Sequence, residues 1–196
     1  MDDYGYGNIV LERLNVDIRF TGKPLIDPLF NYKSPLLPKC IKFSGEIEDV
    51  KSVVLNHGST LNFSGSAEVL AWSSSFSFLD LDGDSDWDPD EPHGPFPVVA
   101  RVKLGDGWLI AISDPSIAIN SMLSMDDNIA FIRKVLELHE VVKILIDQSH
   151  TPSSRLDEAK KTIQTIYAYA SSPVGAIIIL ALTLIICLKP LWVKGG

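Results

Sequence analysis

The sequence is poor in cysteine, with two such residues among 196. Cys187 lies inside a long apolar run near the C-terminus, which leaves Cys40 alone in the polar part of the chain. This scarcity excludes a disulfide within the N-terminal region and a zinc site built from paired cysteines. The fold must therefore rest on its hydrophobic core, and a polar region of this length can form one.

Positive charge is also scarce, because 17 Lys and Arg stand against 25 Asp and Glu, for a net charge of -8. A surface that binds nucleic acid needs a stripe of cations to replace the counterions of the phosphates. The sequence has no such stripe, and it has no glycine loop of the phosphate-binding type. Nucleic acid is therefore not an expected partner.

Charged residues are absent between Lys161 and Lys189. Within that stretch, residues 174–188 are apolar on every helical face. The hydrocarbon core of a bilayer is about 30 Å thick and takes roughly 20 helical residues to cross. The sequence therefore predicts one C-terminal transmembrane helix over residues 173–193, preceded by an amphipathic juxtamembrane helix over residues 151–172. A buried core helix is the alternative.

The cations nearest the apolar run indicate its orientation. Lys189 and Lys194 lie just beyond the run, whereas Lys160 and Lys161 are farther from it and are accompanied by acidic residues. The positive-inside rule then favours a single-pass protein of the cell membrane with an extracytoplasmic domain and a cytoplasmic C-terminus. The expected partners are the lipid bilayer and other membrane or extracytoplasmic proteins. Because the chain opens at Met1 without a leader, a cytoplasmic domain or a missing upstream segment is the alternative.

Residues 1–150 have the pattern of an α/β domain. Two β-rich runs, over residues 97–104 and 107–113, are joined by an Asp-Gly pair that predicts a tight hairpin. Residues 141–146 have the apolar pattern of a strand inside a sheet that is covered on both faces. Residues 22–38 hold four prolines and are predicted to form an ordered surface loop.

Two helices are predicted in the same domain. Asn8 is expected to cap a short helix that ends at Leu14. Residues 126–128 are expected to open a longer helix, whose apolar side chains would face the core.

The segment 80–91 carries seven carboxylates and no cation. Counted from its first residue, acidic side chains occupy positions one, three, five, nine and twelve, which supply ligands in a calcium loop. The sequence therefore predicts Ca²⁺ as a cofactor, bound by Asp80, Asp82, Asp84, Asp88 and Glu91. A serine at position six and the prolines that follow argue against an ordinary EF-hand. A solvated acidic turn held by Asx hydrogen bonds is the alternative.

Polar residues follow two of the predicted strands. In an open α/β sheet, ligands bind beyond the carboxyl ends of the strands. We therefore predict a ligand site formed by Asp114 and Asn120, after one strand, and Asp147, after another. Ser116, Asp147 and His150 also have the residue types of a hydrolase, although no Gly-x-Ser-x-Gly elbow is present. Capping of the adjacent turn and helix is the alternative role for Asp114 and Asn120.

Five short motifs follow one another along the chain. They are Asp3-Tyr4-Gly5-Tyr6-Gly7-Asn8, Gly94-Pro95-Phe96-Pro97-Val98, Ile112-Ser113-Asp114-Pro115-Ser116 with Asn120, Asp127-Asn128, and Asp147-Gln148-Ser149-His150. In this order they resemble the archaeal-type membrane proteins of domain-of-unknown-function family 4350 (DUF4350). The resemblance implies a flavodoxin-like sheet related to class I glutamine amidotransferases, usually without their catalytic cysteine. In that family the first motif follows one or more βα units, so the resemblance also implies an N-terminally truncated sheet.

The expected fold is therefore α/β, with a flavodoxin-like (glutamine amidotransferase-like) sheet and one C-terminal transmembrane helix. The expected function is a membrane-anchored, non-enzymatic binding or assembly module that Ca²⁺ stabilises. A hydrolase that uses Ser116, His150 and Asp147 is one alternative. An accessory subunit of a membrane transport complex, which the resemblance allows, is the other.

Overall fold

A computed structural model describes residues 1, 4–138, 143 and 155–193 of the chain. The chain divides into two compact units, Met1–Lys143 and Ile144–Gly196. The strand predicted over residues 141–146 lies, apart from residue 143, outside the described residues.

Ten strands are described in the first unit, and seven of them are only two residues long. They are β1 (Arg19–Phe20), β2 (Leu25–Ile26), β3 (Lys39–Cys40), β4 (Lys42–Phe43), β5 (Val53–Val54), β6 (Leu61–Asn62), β7 (Glu68–Trp72), β8 (Phe78–Leu79), β9 (Pro97–Leu104) and β10 (Gly107–Ile112). Four strands form one sheet in the order β10-β9-β7-β4, and the others pair as β1-β6, β2-β8 and β3-β5. Every strand pairing among the described residues is antiparallel.

Five α-helices are described across the two units. They are α1 (Asn8–Arg13), α2 (Asn120–Leu123) and α3 (Asn128–Glu137) in the first unit, and α4 (Arg155–Ala170) and α5 (Pro173–Val193) in the second. Two short 3-10 turns, Gly45–Ile47 and Ser116–Ala118, also lie in the first unit.

This topology contradicts the predicted flavodoxin-like (glutamine amidotransferase-like) sheet. Such a sheet is built from parallel strands joined by crossover helices. The described residues instead form mostly small antiparallel sheets with a few helices. The prediction is wrong because it took the sheet from a resemblance of short motifs, and the β-rich runs themselves indicate where strands lie but not which strands pair or in which direction.

The hairpin of β9 and β10 is predicted correctly to within one residue. Its register runs from Gly107 opposite Leu104 to Ile112 opposite Val99. Gly105 occupies the turn with a φ of +60°, a conformation that glycine adopts without steric cost.

Two clusters of buried apolar side chains lie on the two faces of this hairpin. The larger cluster includes Val99 and Ile112, and the smaller includes Ala100 and Ala111. Because successive residues of a strand point to opposite faces, the two clusters cover both sides of the sheet. Fully burying a Val, Leu, Ile or Phe side chain contributes about 1.5–3 kcal/mol, so these clusters supply most of the driving force for folding.

Helix α1 forms as predicted, but Asn8 does not cap it. Asn8 is instead the first residue of the helix. Its side-chain amide donates to the Phe20 carbonyl at 2.9 Å, and its side-chain oxygen accepts the Phe20 N–H at 2.8 Å. The asparagine therefore joins α1 to strand β1, twelve residues away in sequence.

Helix α3 begins where the sequence predicts it, and polar residues tie its start to strand β5. The buried Asn128 accepts the Val54 N–H at 2.8 Å and donates to the Val54 carbonyl at 3.0 Å. Phe131 is fully buried in the larger cluster, whereas Ile129 and Leu136 are exposed. The helix thus packs through one part of its apolar surface.

Helices α4 and α5 of the second unit are separated at residues 171–172, where the sequence predicts an interruption. Among the side chains that the structure describes, no single helix is long and apolar enough to cross a bilayer. Glu158–Ala170 and Pro173–Cys187 meet the criteria of length and composition together, but the pair is bent by 80°. The prediction of one transmembrane helix over residues 173–193 is contradicted by this finding.

Candidate functional site

Asp114, predicted as a ligand residue, is fully buried and holds two backbone segments together. One carboxylate oxygen accepts the N–H of Asn56 at 2.8 Å, and the other accepts the N–H of Ser116 at 2.6 Å. These contacts match the capping role that the sequence offers as the alternative. Asn120 is the first residue of α2 and is exposed.

Of the other members of the ligand site and the hydrolase trio, only Ser116 lies among the described residues. Asp147 and His150 lie outside the described residues, so the ligand site and the hydrolase trio that include them stay predictions. Ser116 is half-buried at the start of its 3-10 turn, where its N–H donates to Asp114.

The acidic segment 80–91 brings three of its five predicted ligands together. One carboxylate oxygen from each of Asp80, Asp82 and Asp84 lies within 4.8 Å of the others. Asp80 is buried, and the other two are exposed. Asp88 and Glu91 are not part of this three-residue cluster.

Hydrogen bonds within the segment already occupy several of these carboxylates. The two oxygens of Asp80 accept the N–H groups of Gly83, at 2.6 Å, and Ser85, at 3.2 Å. The buried Glu91 accepts the N–H of Leu81 at 2.6 Å, which closes the loop at its base. A carboxylate oxygen has two lone pairs, so it can accept an N–H and still bind a cation. Ca²⁺ takes six to eight oxygens, and the three clustered side chains would supply part of that shell.

The negative charges of this loop also act on each other. Partial desolvation raises the pKa of Asp88 above its ordinary value, and the charges of Asp84, Asp82, Asp90 and Glu91 raise it further. A bound cation would oppose the second effect, because an opposite charge favours the ionised carboxylate.

A second carboxylate, Asp27, holds two turns together in the fold, and it is missing from the sites predicted from sequence. Asp27 is fully buried although it lies in the proline-rich segment 22–38. One oxygen accepts the N–H groups of Leu29, at 3.0 Å, and Phe30, at 2.7 Å. The other oxygen accepts the hydroxyl of Ser74, and the Ser74 oxygen accepts the N–H of Phe76 at 3.0 Å. A single buried charge therefore fixes both turns by charge-assisted hydrogen bonds.

These two turns present apolar side chains to solvent. Phe30 and Phe76 stack with their ring centroids 5.7 Å apart and an interplanar angle of 23°. Phe76 is 54% exposed and Phe30 is 38% exposed, and the neighbouring Leu29 is 65% exposed. We refer to Leu29, Phe30 and Phe76 as the aromatic patch.

Buried serines support the patch from below. The Ser77 hydroxyl donates to the Ser73 hydroxyl, at 2.7 Å, while Ser73 also accepts the N–H of Phe96 at 2.8 Å. Gly94 lies against the Ser74 carbonyl and the Ser77 hydroxyl so closely that a Cβ atom there would overlap both. The turn that carries Phe76 is thus packed closely against the core.

Cys40 lies near two of the carboxylates described above, and its surroundings disfavour nucleophilic chemistry. Complete burial raises the pKa of its thiol far above the ordinary range, and the charges of Asp114 and Asp27 raise it further. The thiolate is the nucleophilic form of cysteine, so this residue is a structural one.

Sequence reasoning misses the aromatic patch because its elements are far apart along the chain. Asp27 and Ser74 are 47 residues apart, and their hydrogen bond depends on the pairing of β2 with β8. The segment around Phe30 carries only one local signal, an Asp that precedes Pro28 and two apolar residues. Such a pattern is common in turns.

Comparison with known proteins gives a fold but no family. No family model matches the chain, and no curated protein matches it. Among solved structures, the chain is similar to the mmIFT52 N-terminal domain, with a TM-score of 0.53 and 16% sequence identity. The match covers 72% of this chain and 60% of the length of that structure. At this identity the likeness shows a similar fold alone and carries no activity or partner from one protein to the other.

Proposed function

We propose that the chain is a non-enzymatic binding module that docks a protein partner on the aromatic patch. The stacked, solvent-exposed pair of Phe30 and Phe76 carries this proposal. Aromatic side chains are enriched at the energetic centres of protein interfaces, where a partner covers them. Covering these three side chains would contribute about 1–2 kcal/mol each by the removal of apolar surface from water.

The hydrogen bonds of Asp27 and Ser74 support the same proposal. They order the backbone of both turns before any partner arrives, because the N–H of each phenylalanine is held by the network. An interface that is ordered in advance loses less conformational entropy on binding. Burial of the Asp27 carboxylate costs desolvation free energy. That this cost is accepted in order to fix two exposed apolar turns supports a binding role for the turns.

Asp114, which was predicted to bind a ligand, and Cys40, the one cysteine of the first unit, both have structural contacts. Both oxygens of Asp114 accept backbone N–H groups, and the Cys40 thiol is buried with a raised pKa. Neither group is therefore available for nucleophilic chemistry, and the hydrolase trio of Ser116, Asp147 and His150 stays a prediction because two of its members lie outside the described residues.

We also infer that the second unit attaches the module to lipid through its bent helix pair. The side chains of α5 from Val174 to Ile186 are largely apolar and exposed, and burial in a bilayer would remove them from water. Flotation of the full chain with phosphatidylcholine vesicles tests this inference. We expect the chain to float with the vesicles, and a chain that stays at the bottom of the gradient overturns the inference.

Site-specific photo-cross-linking tests the docking function. Benzoylphenylalanine replaces Phe76 in the full chain, and the cells that produce the protein are irradiated. The matched control carries the same group at Trp108, which is 42% exposed on the β9–β10 hairpin. We expect a discrete protein adduct from position 76 and none of that mass from position 108. Equal adducts at both positions, or none at position 76, would overturn the proposed function.

A further inference from the structure

Two residues of the aromatic patch, Leu29 and Phe30, lie in a segment with an unusual charge for this chain. Residues 28–45 contain three lysines and no acidic residue, in a chain with a net charge of -8. The ammonium groups of two of these lysines lie 5.2 Å (Lys33) and 5.5 Å (Lys39) from the centroid of the ring of Tyr32, which follows Phe30 by two residues. Lys39 also pairs with Asp126 at 2.7 Å. The segment that carries Phe30 is therefore rich in lysine and aromatic residues, and Lys33 is its cation nearest to Phe30 in sequence.

The same chain carries a segment with the complementary chemistry. Residues 80–91 hold seven carboxylates, and Trp87 projects among them with 46% of its surface exposed. The Trp87 ring lies 4.7 Å from the ring of His93, and its Nε1 donates to the Glu91 carbonyl at 3.4 Å. An apolar anchor surrounded by carboxylates complements an aromatic patch of which one side lies in a lysine-bearing segment.

The fold places these two features at opposite ends of one strand pair. In the antiparallel pair of β2 and β8, Ile26 lies opposite Phe78 and Leu25 lies opposite Leu79. The turns that carry Phe30 and Phe76 leave the Ile26–Phe78 end. The acidic segment leaves the other end, where the Asp80 N–H donates to the Pro24 carbonyl at 3.0 Å. The acidic segment thus begins at the end of the strand pair opposite the patch, and the chain after it returns beside β8, where His93 pairs with Phe78.

We propose that the occupant of the aromatic patch is the acidic segment 80–91 of a second copy of this chain. This inference rests on the proposed docking function and names the partner. Trp87 of one copy would lie against Phe30 and Phe76 of the next, with its neighbouring carboxylates near Lys33. Because patch and segment are different surfaces, the contact is heterologous, and each added copy leaves one patch and one segment open. Such a contact builds open chains or closed rings instead of a two-fold dimer.

Two variants separate the two sides of this contact. Phe76→Ser removes an exposed ring from the patch, and Trp87→Ser removes the anchor of the acidic segment; both positions are exposed, so both variants should fold. Sedimentation velocity of the full chain in detergent micelles is the measurement. We expect the wild type to form species larger than a dimer as its concentration rises, and each variant alone to be monomeric. An equimolar mixture of the two variants should form dimers and stop there, because only one intact contact can be made.

Salt and charge give a second measurement of the same contact. An increase in NaCl from about 0.05 to about 0.5 M screens surface charges and should weaken the association of the wild type at least tenfold. Lys33→Glu should also weaken the association, because it reverses the charge of one partner group. A monomeric wild type, a mixture that stays monomeric, or oligomers that persist in both variants would overturn the self-association. If the wild type or the mixture is monomeric, a discrete adduct between position 76 and a different protein would still support the docking function. The two proposals can therefore fail separately.

Discussion

Replacing Asp27 by asparagine keeps the size of the side chain and removes its negative charge. The asparagine oxygen can still accept the N–H groups of Leu29 and Phe30. Its amide nitrogen, however, is a donor and would take the place of the carboxylate oxygen that accepts the Ser74 hydroxyl, so this charge-assisted hydrogen bond would be lost. Hydrogen bonds to a charged group contribute about 1.5–3 kcal/mol, against about 0.5–1.5 kcal/mol for neutral ones. We therefore expect Asp27→Asn to lower the free energy of unfolding by about 1–3 kcal/mol.

Thermal unfolding of the full chain in detergent micelles, followed by circular dichroism, measures this loss. A domain of this size loses roughly 2–4 °C in Tm for each kcal/mol. Asp86→Asn is the matched control, since Asp86 is exposed and its replacement should change stability by less than about 0.5 kcal/mol. Asp27→Ala should be worse, by about 3–5 kcal/mol in all, because it leaves two backbone N–H groups without an acceptor. If Asp27→Asn and Asp86→Asn melt together, Asp27 does not hold the two turns as described.

The remaining predictions concern single groups. The buried hydroxyl of Ser113 has no hydrogen-bond partner among the described residues, so Ser113→Ala should raise the free energy of unfolding by about 1 kcal/mol in urea titration, and a loss would show that the hydroxyl is satisfied. The hydrogen bond from Lys39 lowers the pKa of Asp126, so this pair stabilises the fold above the pKa of the unfolded carboxyl and ceases to do so as the pH falls through the folded pKa. Asp126→Asn should therefore cost about 0.2–1 kcal/mol at pH 7. The difference should begin to shrink below about pH 4, near the pKa of the unfolded carboxyl, and should close below the folded pKa. A difference that does not change with pH would contradict the assignment. If the loop of residues 80–91 binds Ca²⁺, free Ca²⁺ at ten times the Kd should stabilise the wild type by about 1.4 kcal/mol in thermal unfolding and should not stabilise Asp80→Asn. If millimolar Ca²⁺ does not shift the transition of the wild type, the loop is a turn held by its own hydrogen bonds.

Local patterns in the sequence predict local elements well. The Gly105-Asp106-Gly107 segment and the β-rich runs around it predict the hairpin of β9 and β10, because turn chemistry and strand propensity act within a few residues. The turn itself is Gly105-Asp106, one residue before the predicted Asp-Gly pair, since Gly107 already pairs with Leu104. The polar residues before Ile129 likewise predict the start of α3. The short strands have no such signal. Leu25 and Ile26 form a strand only because they meet β8 more than 50 residues later.

The same reasoning explains which functional residues the sequence predicts. The spacing of carboxylates in residues 80–91 predicts the cluster of Asp80, Asp82 and Asp84, because side chains two residues apart in one loop are also close in space. It does not show that Asp80 and Glu91 also accept backbone N–H groups within the loop. The aromatic patch was not predictable, because the contact between Asp27 and Ser74 depends on the tertiary fold.

The link between the buried carboxylate and the exposed aromatics is the central claim, and one measurement tests it most directly. Benzoylphenylalanine at position 76 is compared in the wild type and in Asp27→Asn, with the two proteins at equal abundance and with the fold of each confirmed by circular dichroism. Asp27 holds the turn through Ser74, which accepts the N–H of residue 76. We predict that the yield of the position-76 adduct falls at least fivefold in the variant, although the cross-linking group is the same in both proteins. A fivefold fall corresponds to a loss of about 1 kcal/mol in binding free energy. An equal yield in the two proteins would contradict the claim that Asp27 orders the patch for binding.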